Sequence, residues 1–238
     1  QQHVVTVFAD NAGSESTGEY RTGMMYTDRS LTGHRDNLTM SGMMAEGSKS
    51  FSASYNRQIH NSGTELNVMY STNSVEIIDG DLEDLDVKGH AYAASVGFTQ
   101  PLVVTENIRT EASVTYNRQN SETDYMRQKW INDTINDATV AYAVTNYSDS
   151  SVLYSKHAYT FGQYEDITGD TKNYGLYQVN AFYQKAYDNG HMLSARFDGQ
   201  LSGNNYMPSA RQFYIGGMYS VRGYKESVLG GDHGYAFS

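Results

Sequence analysis

Cysteine is absent from this 238-residue chain, which rules out a disulfide framework and thiolate metal sites. The absence fits a protein that crosses an oxidising periplasm without requiring one. Proline occurs only twice, as suits long strands in which nearly every N–H must enter a ladder. No apolar run reaches the roughly eighteen residues that a membrane-spanning helix needs. A β-barrel escapes that test, because only every second residue of its strands faces lipid. Cations are few, with Lys+Arg 17 against Asp+Glu 27 and a net charge of -10. Nucleic acid is thereby excluded as a partner, since phosphate neutralisation needs clustered Lys and Arg. The chain opens at Gln1 with neither Met nor the apolar core of a signal peptide, so any export signal is expected to have been removed.

The chain is rich in Tyr (21) and Gly (22), and its mean hydropathy is -0.60. Tyr suits a membrane interface, with an apolar ring and a wet hydroxyl. The dominant pattern is alternation with a period of two. From Asn107 to Asn117, the residues Ile108, Thr110, Ala112, Val114 and Tyr116 share one face, and Arg109, Glu111, Ser113 and Thr115 share the other. Tyr177, Val179, Ala181 and Tyr183 oppose Gln178, Asn180 and Gln184. Leu193, Ala195 and Phe197 oppose Ser194, Arg196, Asp198 and Gln200, and Leu66, Val68 and Tyr70 oppose Glu65, Asn67 and Ser71. No segment of helical period competes with these runs.

Turn chemistry alternates along the chain. His60-Asn61-Ser62-Gly63 and Asp188-Asn189-Gly190 are short hairpin turns. Longer polar loops are expected at Asp79 to Asp86, Ser121 to Asp137 and Ile167 to Asn173. Short turns on one side and long loops on the other characterise outer-membrane barrels. Strands laid between them number about eleven, each roughly long enough to cross a bilayer at a tilt. A last strand begins near Gly234 and reaches Ser238, short of the roughly 9–11 residues a span needs. An unclosed sheet edge in lipid would cost several kcal/mol per unpaired group, so closing strands are expected beyond Ser238. The fold class read from the sequence is all-β, an antiparallel transmembrane β-barrel seen as an incomplete segment of about eleven to twelve strands. Residues 1–238 form one barrel domain on this reading.

Two segments carry more than architecture. The first is Asp10-Asn11-Ala12-Gly13-Ser14-Glu15-Ser16-Thr17-Gly18-Glu19-Tyr20-Arg21. The second is Arg211-Gln212-Phe213-Tyr214-Ile215-Gly216-Gly217 followed by Ser220-Val221-Arg222-Gly223-Tyr224, with Gly231-Asp232-His233-Gly234-Tyr235 after it. The first resembles the opening hairpin of the outer-membrane transporters of two-partner secretion, the TpsB or haemolysin secretion/activation proteins. The second resembles that family's sixth extracellular loop and its exit into the twelfth strand. Val-Arg-Gly-Tyr alone marks a wider superfamily that includes the barrel-assembly proteins, and its pairing with the first segment narrows the resemblance to the secretion transporters.

The resemblance implies a barrel of roughly sixteen strands preceded by periplasmic POTRA domains that recognise a substrate. It implies that Gly216, Gly217, Ser220, Val221, Arg222, Gly223 and Tyr224 form a functional loop folded into the barrel lumen. There Arg222 would meet an Asp on the inner wall of a strand beyond Ser238. Physically, a permanent cation among glycines, entering a partly desolvated lumen, needs a carboxylate partner. Gln178, Asn180, Ser194, Arg196, Asp198 and Gln200 are the candidates to line a hydrated pore.

Other clusters carry less. Asp79, Asp81, Glu83, Asp84 and Asp86 lack EF-hand spacing and read as a solvated loop. The seven histidines include no pair at metal-ligand spacing, and His90 reads as a strand residue. There is no Gly-x-Ser-x-Gly elbow near Asp232 and His233, so the expectation is a protein that is not an enzyme and uses no cofactor or metal. The function expected is secretion of a large exoprotein of adhesin or haemolysin type through the outer membrane. The partners expected are that exoprotein, outer-membrane lipid and the barrel-assembly machinery during biogenesis. An outer-membrane protein assembly factor of the same superfamily and a general diffusion porin are the alternatives.

Overall fold

The computed structural model describes residues 3–34, 36–80, 83–203, 207–216 and 229–238. Among these described residues there are fourteen strands: β1 (His3–Asp10), β2 (Arg21–Asp28), β3 (Asn37–Ala45), β4 (Ser48–Gln58), β5 (Glu65–Glu76), β6 (Lys88–Val104), β7 (Ile108–Tyr125), β8 (Gln128–Ser148), β9 (Ser151–Glu165), β10 (Thr171–Ala186), β11 (Met192–Ser202), β12 (Phe213–Ile215), β13 (Leu229–Gly231) and β14 (Gly234–Phe237). Twelve of them form one sheet in the order β1 to β11 and then β14, while β12 and β13 pair with each other. Eleven strands therefore precede the loop that carries β12 and β13, as the turn pattern predicts, and β14 begins at Gly234. Registers are those of antiparallel hairpins, such as Asp10 opposite Arg21 and Asn180 opposite Asp198.

The residues fall into two compact units, Gln1–Phe98 with Thr115–Asn136 and Tyr164–Lys172, and Thr99–Val114 with Asp137–Gln163 and Asn173–Ser238. In the second unit one face of β8 carries Asp137, Ala141 and Ala143, all buried, and Thr139, whose hydroxyl meets that of buried Thr160 on β9 at 2.7 Å. Ala158 on β9 and Tyr174 and Leu176 on β10 are also buried. The alternate residues are exposed and apolar: Val140 and Tyr142 on β8, Leu153, Tyr159 and Phe161 on β9. Small and polar residues on one face, large apolar ones on the other, is the alternation of a strand between water and lipid.

In the first unit one sequence expectation is overturned. The polar stretch from Ser121 to Asp137 is not a long loop. β7 runs on to Tyr125, a two-residue turn at Met126 and Arg127 follows, and β8 starts at Gln128. The strands have 18 and 21 residues, well above the roughly 9–11 that span a bilayer. Polar residues dominate both alternating sets of this stretch, which is why its sequence reads as a loop. Cross-strand polar bonds hold it instead: the Asn120 amide donates to Asn132 Oδ1 at 3.0 Å and to Thr134 Oγ1 at 3.2 Å. The stretch from Ile167 to Asn173 is likewise shorter than expected, since β10 already starts at Thr171.

The tip of the β7–β8 hairpin has φ of 50° at Met126 and 64° at Arg127, the left-handed pair that two-residue hairpins require and that Asn-Gly fills without strain. The double change Met126→Asn and Arg127→Gly is expected to stabilise the hairpin by about 1–2 kcal/mol. Slower hydrogen exchange across the Tyr125–Gln128 tip is the measurement that checks it. The Arg127–Asp86 ion pair lost in the exchange has a 90% exposed guanidinium and contributes little.

The acidic loop between β5 and β6 includes a 3-10 turn at Glu83–Leu85. Asp86 there accepts from Lys88 at 3.1 Å and Arg127 at 3.2 Å. The Lys88 ammonium first, and the Arg127 guanidinium second, hold its carboxyl below the usual carboxylate range. A carboxylate whose pKa is depressed by folding stabilises above its unfolded value of about 3.9 and loses that contribution as pH falls through the folded value. The Met126 amide, which donates to Leu85 O at 2.9 Å, is expected to stay protected above about pH 4 and to exchange faster, relative to its intrinsic rate, below it.

Candidate functional site

The described ends of the loop after β11 form a compact root, and its polar atoms are accounted for by a few side chains. Gln200 on β11 is 3% exposed, and its amide donates to Arg211 O at 2.8 Å and Asp232 O at 3.3 Å. One side chain thus holds the outgoing limb and the returning limb together. Asp232 repeats the arrangement from the loop side: its Oδ1 accepts from the Met207 amide and from Gln212 Nε2, each at 3.3 Å. Ser202 N donates to His233 Nδ1 at 3.0 Å. Met207 itself is buried, 1% exposed.

The two limbs also pair as strands, Phe213 opposite Gly231, Tyr214 opposite Gly230 and Ile215 opposite Leu229. Glycine is needed by close approach at two places here. A Cβ on Gly230 would lie 2.6 Å from the Tyr214 ring, and one on Gly234 would lie 2.3 Å from the Phe213 ring. The aromatic rings lie across bare backbone and shield it from water. Gly216 closes the described outgoing limb with a φ of 115°.

One ion pair ties this root to the wall. Arg211, in the 3-10 turn Ser209–Arg211, places both Nε and Nη2 2.7 Å from Asp137 Oδ2 on β8. The hydroxyl of buried Tyr174 on β10 donates to the same oxygen at 2.5 Å. The Asp137 side chain is 3% exposed and that of Arg211 19%. Charge-assisted bonds in such a setting are short and strong, and removing one partner strands the other charge out of water.

The six residues expected to line a pore share one face of β10 and β11. Gln178 lies opposite Gln200 and Asn180 opposite Asp198, while Arg196 faces Phe182 and Ser194 faces Gln184. Five of the six side chains are bonded to one another: Gln178 Nε2 to Gln200 Oε1 at 3.0 Å, Asn180 Nδ2 to Asp198 Oδ1 at 2.7 Å, and Arg196 Nε to Asp198 Oδ2 at 2.6 Å. This is the face that carries Gln200, and so the face on which the loop root sits. Of the expected loop residues, Gly216 is in the root; Gly217, Ser220, Val221, Arg222, Gly223 and Tyr224 lie outside the described residues. Asp137, Tyr174 and Arg211 were not singled out as a site from the sequence. Asp137 lay in a stretch read as loop, and nothing in a single sequence joins it to Arg211, 74 residues later.

The other motif, between β1 and β2, is explained residue by residue. Asp10 Oδ1 accepts from Arg21 Nε at 2.8 Å and from the Ala12 amide at 3.0 Å, closing the loop at its base. Gly13 N donates to Glu19 O at 2.8 Å, and a Cβ on Gly13 would lie 2.1 Å from Gly18 O. The folded loop then takes two backbone bonds from neighbouring hairpins: Gly47 N to Thr17 O at 2.8 Å and Ile78 N to Ser16 O at 2.9 Å. It is a strap across three hairpin ends.

Comparison with known proteins places this geometry. The sequence model described as "Haemolysin secretion/activation protein ShlB/FhaC/HecB" matches residues 2–238. No curated protein sequence matches the chain. Among solved structures, CdiB from Escherichia coli is similar with a TM-score of 0.87 at 17% identity, over 100% of this chain and 47% of that one. CdiB from Acinetobacter baumannii is similar with a TM-score of 0.73 at 16% identity, over 100% and 45%. BamA from Haemophilus ducreyi lacking POTRA domains 1-3 follows with a TM-score of 0.58 at 15% identity, over 96% and 47%. The chain therefore spans a little under half the length of these solved chains, and its fold is an incomplete antiparallel transmembrane β-barrel. With the family model matching residues 2–238, the chain belongs to the haemolysin secretion/activation protein family, ShlB/FhaC/HecB.

Proposed function

We propose that the full protein of which this chain is part is a pore of the Gram-negative outer membrane. It conducts an unfolded partner exoprotein, of adhesin or haemolysin type, from the periplasm to the cell surface. Family membership supports this reading, and one observation carries it. The root of the long loop lies on the polar face of β10 and β11, through Gln200 and Arg211, rather than standing out from the barrel rim. A loop rooted on that face supports the reading that it occupies the lumen. Gln178, Asn180, Ser194, Arg196, Asp198 and Gln200 line the conduit, and the apolar face of Tyr177, Val179, Leu193 and Leu201 meets lipid. Arg196 and Asp198 neutralise each other, and Asn180 donates to the same carboxylate, so an extended chain meets a wetted wall without one dominant charge. Arg222 and its neighbours form the lumen-inserted element, displaced during export.

The similarity to BamA favours a second reading, an outer-membrane protein assembly factor of the same superfamily. Deleting the gene for the full-length protein separates the readings. The transporter reading predicts loss of the partner exoprotein from the cell surface and medium, with other outer-membrane proteins at normal abundance. A general fall in outer-membrane barrels would instead mark an assembly factor. Reduced small-solute uptake with export intact would mark a porin.

A further inference from the structure

We infer that Asp137 is a positioning residue for the long loop: its carboxylate, clamping Arg211 with Tyr174 behind it, makes the loop root a fixed pivot that stays on the wall of β8 and β10 during export. This rests on the transporter reading above. Three observations carry it.

The clamp converges on one atom. Arg211 Nε, Arg211 Nη2 and the Tyr174 hydroxyl all meet Asp137 Oδ2, so two donors from the loop and one from β10 are fixed by a single buried carboxylate on β8. A carboxylate held this way needs its cation, and the cation needs it. Gln200 and Asp232 then tie the outgoing limb to the returning one with neutral or singly charged bonds. Those bonds fix the limbs to each other and to β11, whereas Arg211 is the link from the outgoing limb to β8 and β10. The rings of Phe213 and Tyr214, pressed on Gly234 and Gly230, finish a root whose parts are packed, hydrogen-bonded and ion-paired.

The absence of cysteine from the chain gives a direct test in the full-length protein. Met207 is 1% exposed and its amide is bonded to Asp232 of the root, so Met207→Cys places a buried thiol whose reaction with a bulky maleimide, read against the unmutated parent, is expected to speed up when the root lifts. The thiol is expected to react slowly on intact cells, with or without the exoprotein co-expressed. Adding Asp137→Asn, which keeps the shape and removes the charge, is expected to speed labelling at least about tenfold and to lower export at least about fivefold. Heat-modifiability of the barrel should stay unchanged. Asp137→Glu restores the charge and should restore protection of the thiol. Should Asp137→Asn fail to assemble, Tyr174→Phe, which removes only the phenol's bond, is expected to speed labelling about threefold.

Unchanged labelling with Asp137→Asn in an assembled barrel would overturn the clamp. Faster labelling with full export, or faster labelling whenever the exoprotein is present, would overturn the fixed pivot. Faster labelling in a protein whose unmutated form exports nothing would sustain the clamp and remove the transporter reading, so the two failures are distinguishable.

Discussion

Val179→Arg is expected to destabilise the inserted barrel by about 2–4 kcal/mol, whereas Asn180→Arg, one residue along the same strand, is expected to change stability by less than about 0.5 kcal/mol. The two positions sit mid-way along β10 on opposite faces of the sheet. Val179 shares its face with Tyr177, Ala181 and Tyr183, opposite Gly199 on β11, and a guanidinium placed there must enter hydrocarbon or pull water after it. Asn180 lies on the polar face and donates to Asp198 at 2.7 Å, so an arginine there finds water and a carboxylate. Urea unfolding of the full-length protein from lipid vesicles measures both. Equal effects would contradict the assignment of faces. A large loss from Asn180→Arg with none from Val179→Arg would reverse it.

Gly13→Ala is expected to cost about 1–3 kcal/mol, as forced overpacking does. The added methyl carbon would lie 2.1 Å from Gly18 O and 2.7 Å from Glu19 O. Both are backbone atoms, and no rotamer change relieves such a contact. The loop must open, which removes its backbone bonds to Gly47 and Ile78. Faster hydrogen exchange at the Gly47 and Ile78 amides, two hairpins away in sequence, is the specific consequence. Gly42→Ala is the control: a Cβ there finds only Ser50 O, at 3.9 Å, and should leave those amides unchanged.

Legibility in the sequence followed the solvent. Where one strand face meets lipid and the other water, alternation is forced, and β5, the start of β7, β10 and β11 could be read directly. Turns whose backbone demands glycine were also legible. Gly63 and Gly190 have φ of 88° and 81°, where an L side chain is strained. The β7–β8 hairpin was not legible, because its tip places Met126 and Arg127 in that same region and polar residues dominate both alternating sets of its outer half. The six polar residues of β10 and β11 were found on one face because register follows from alternation once the Asp188-Asn189-Gly190 turn is placed. The clamp was not found. An aspartate, a tyrosine and an arginine on three separate elements are joined only by the folding of the loop onto the wall, which depends on tertiary placement and leaves no local pattern. The glycines of the loop root were visible as a motif. That Gly230 and Gly234 accommodate aromatic rings, rather than merely turning the chain, needed coordinates.

The most direct measurement of the central claim is export of the partner exoprotein by the full-length protein carrying Arg222→Ala, set against the amount of heat-modifiable barrel in the outer membrane. The account predicts a correctly assembled barrel whose export falls steeply, because the loop element rooted on the polar face takes part in translocation. Export at the unmutated level from a fully assembled Arg222→Ala barrel would contradict it.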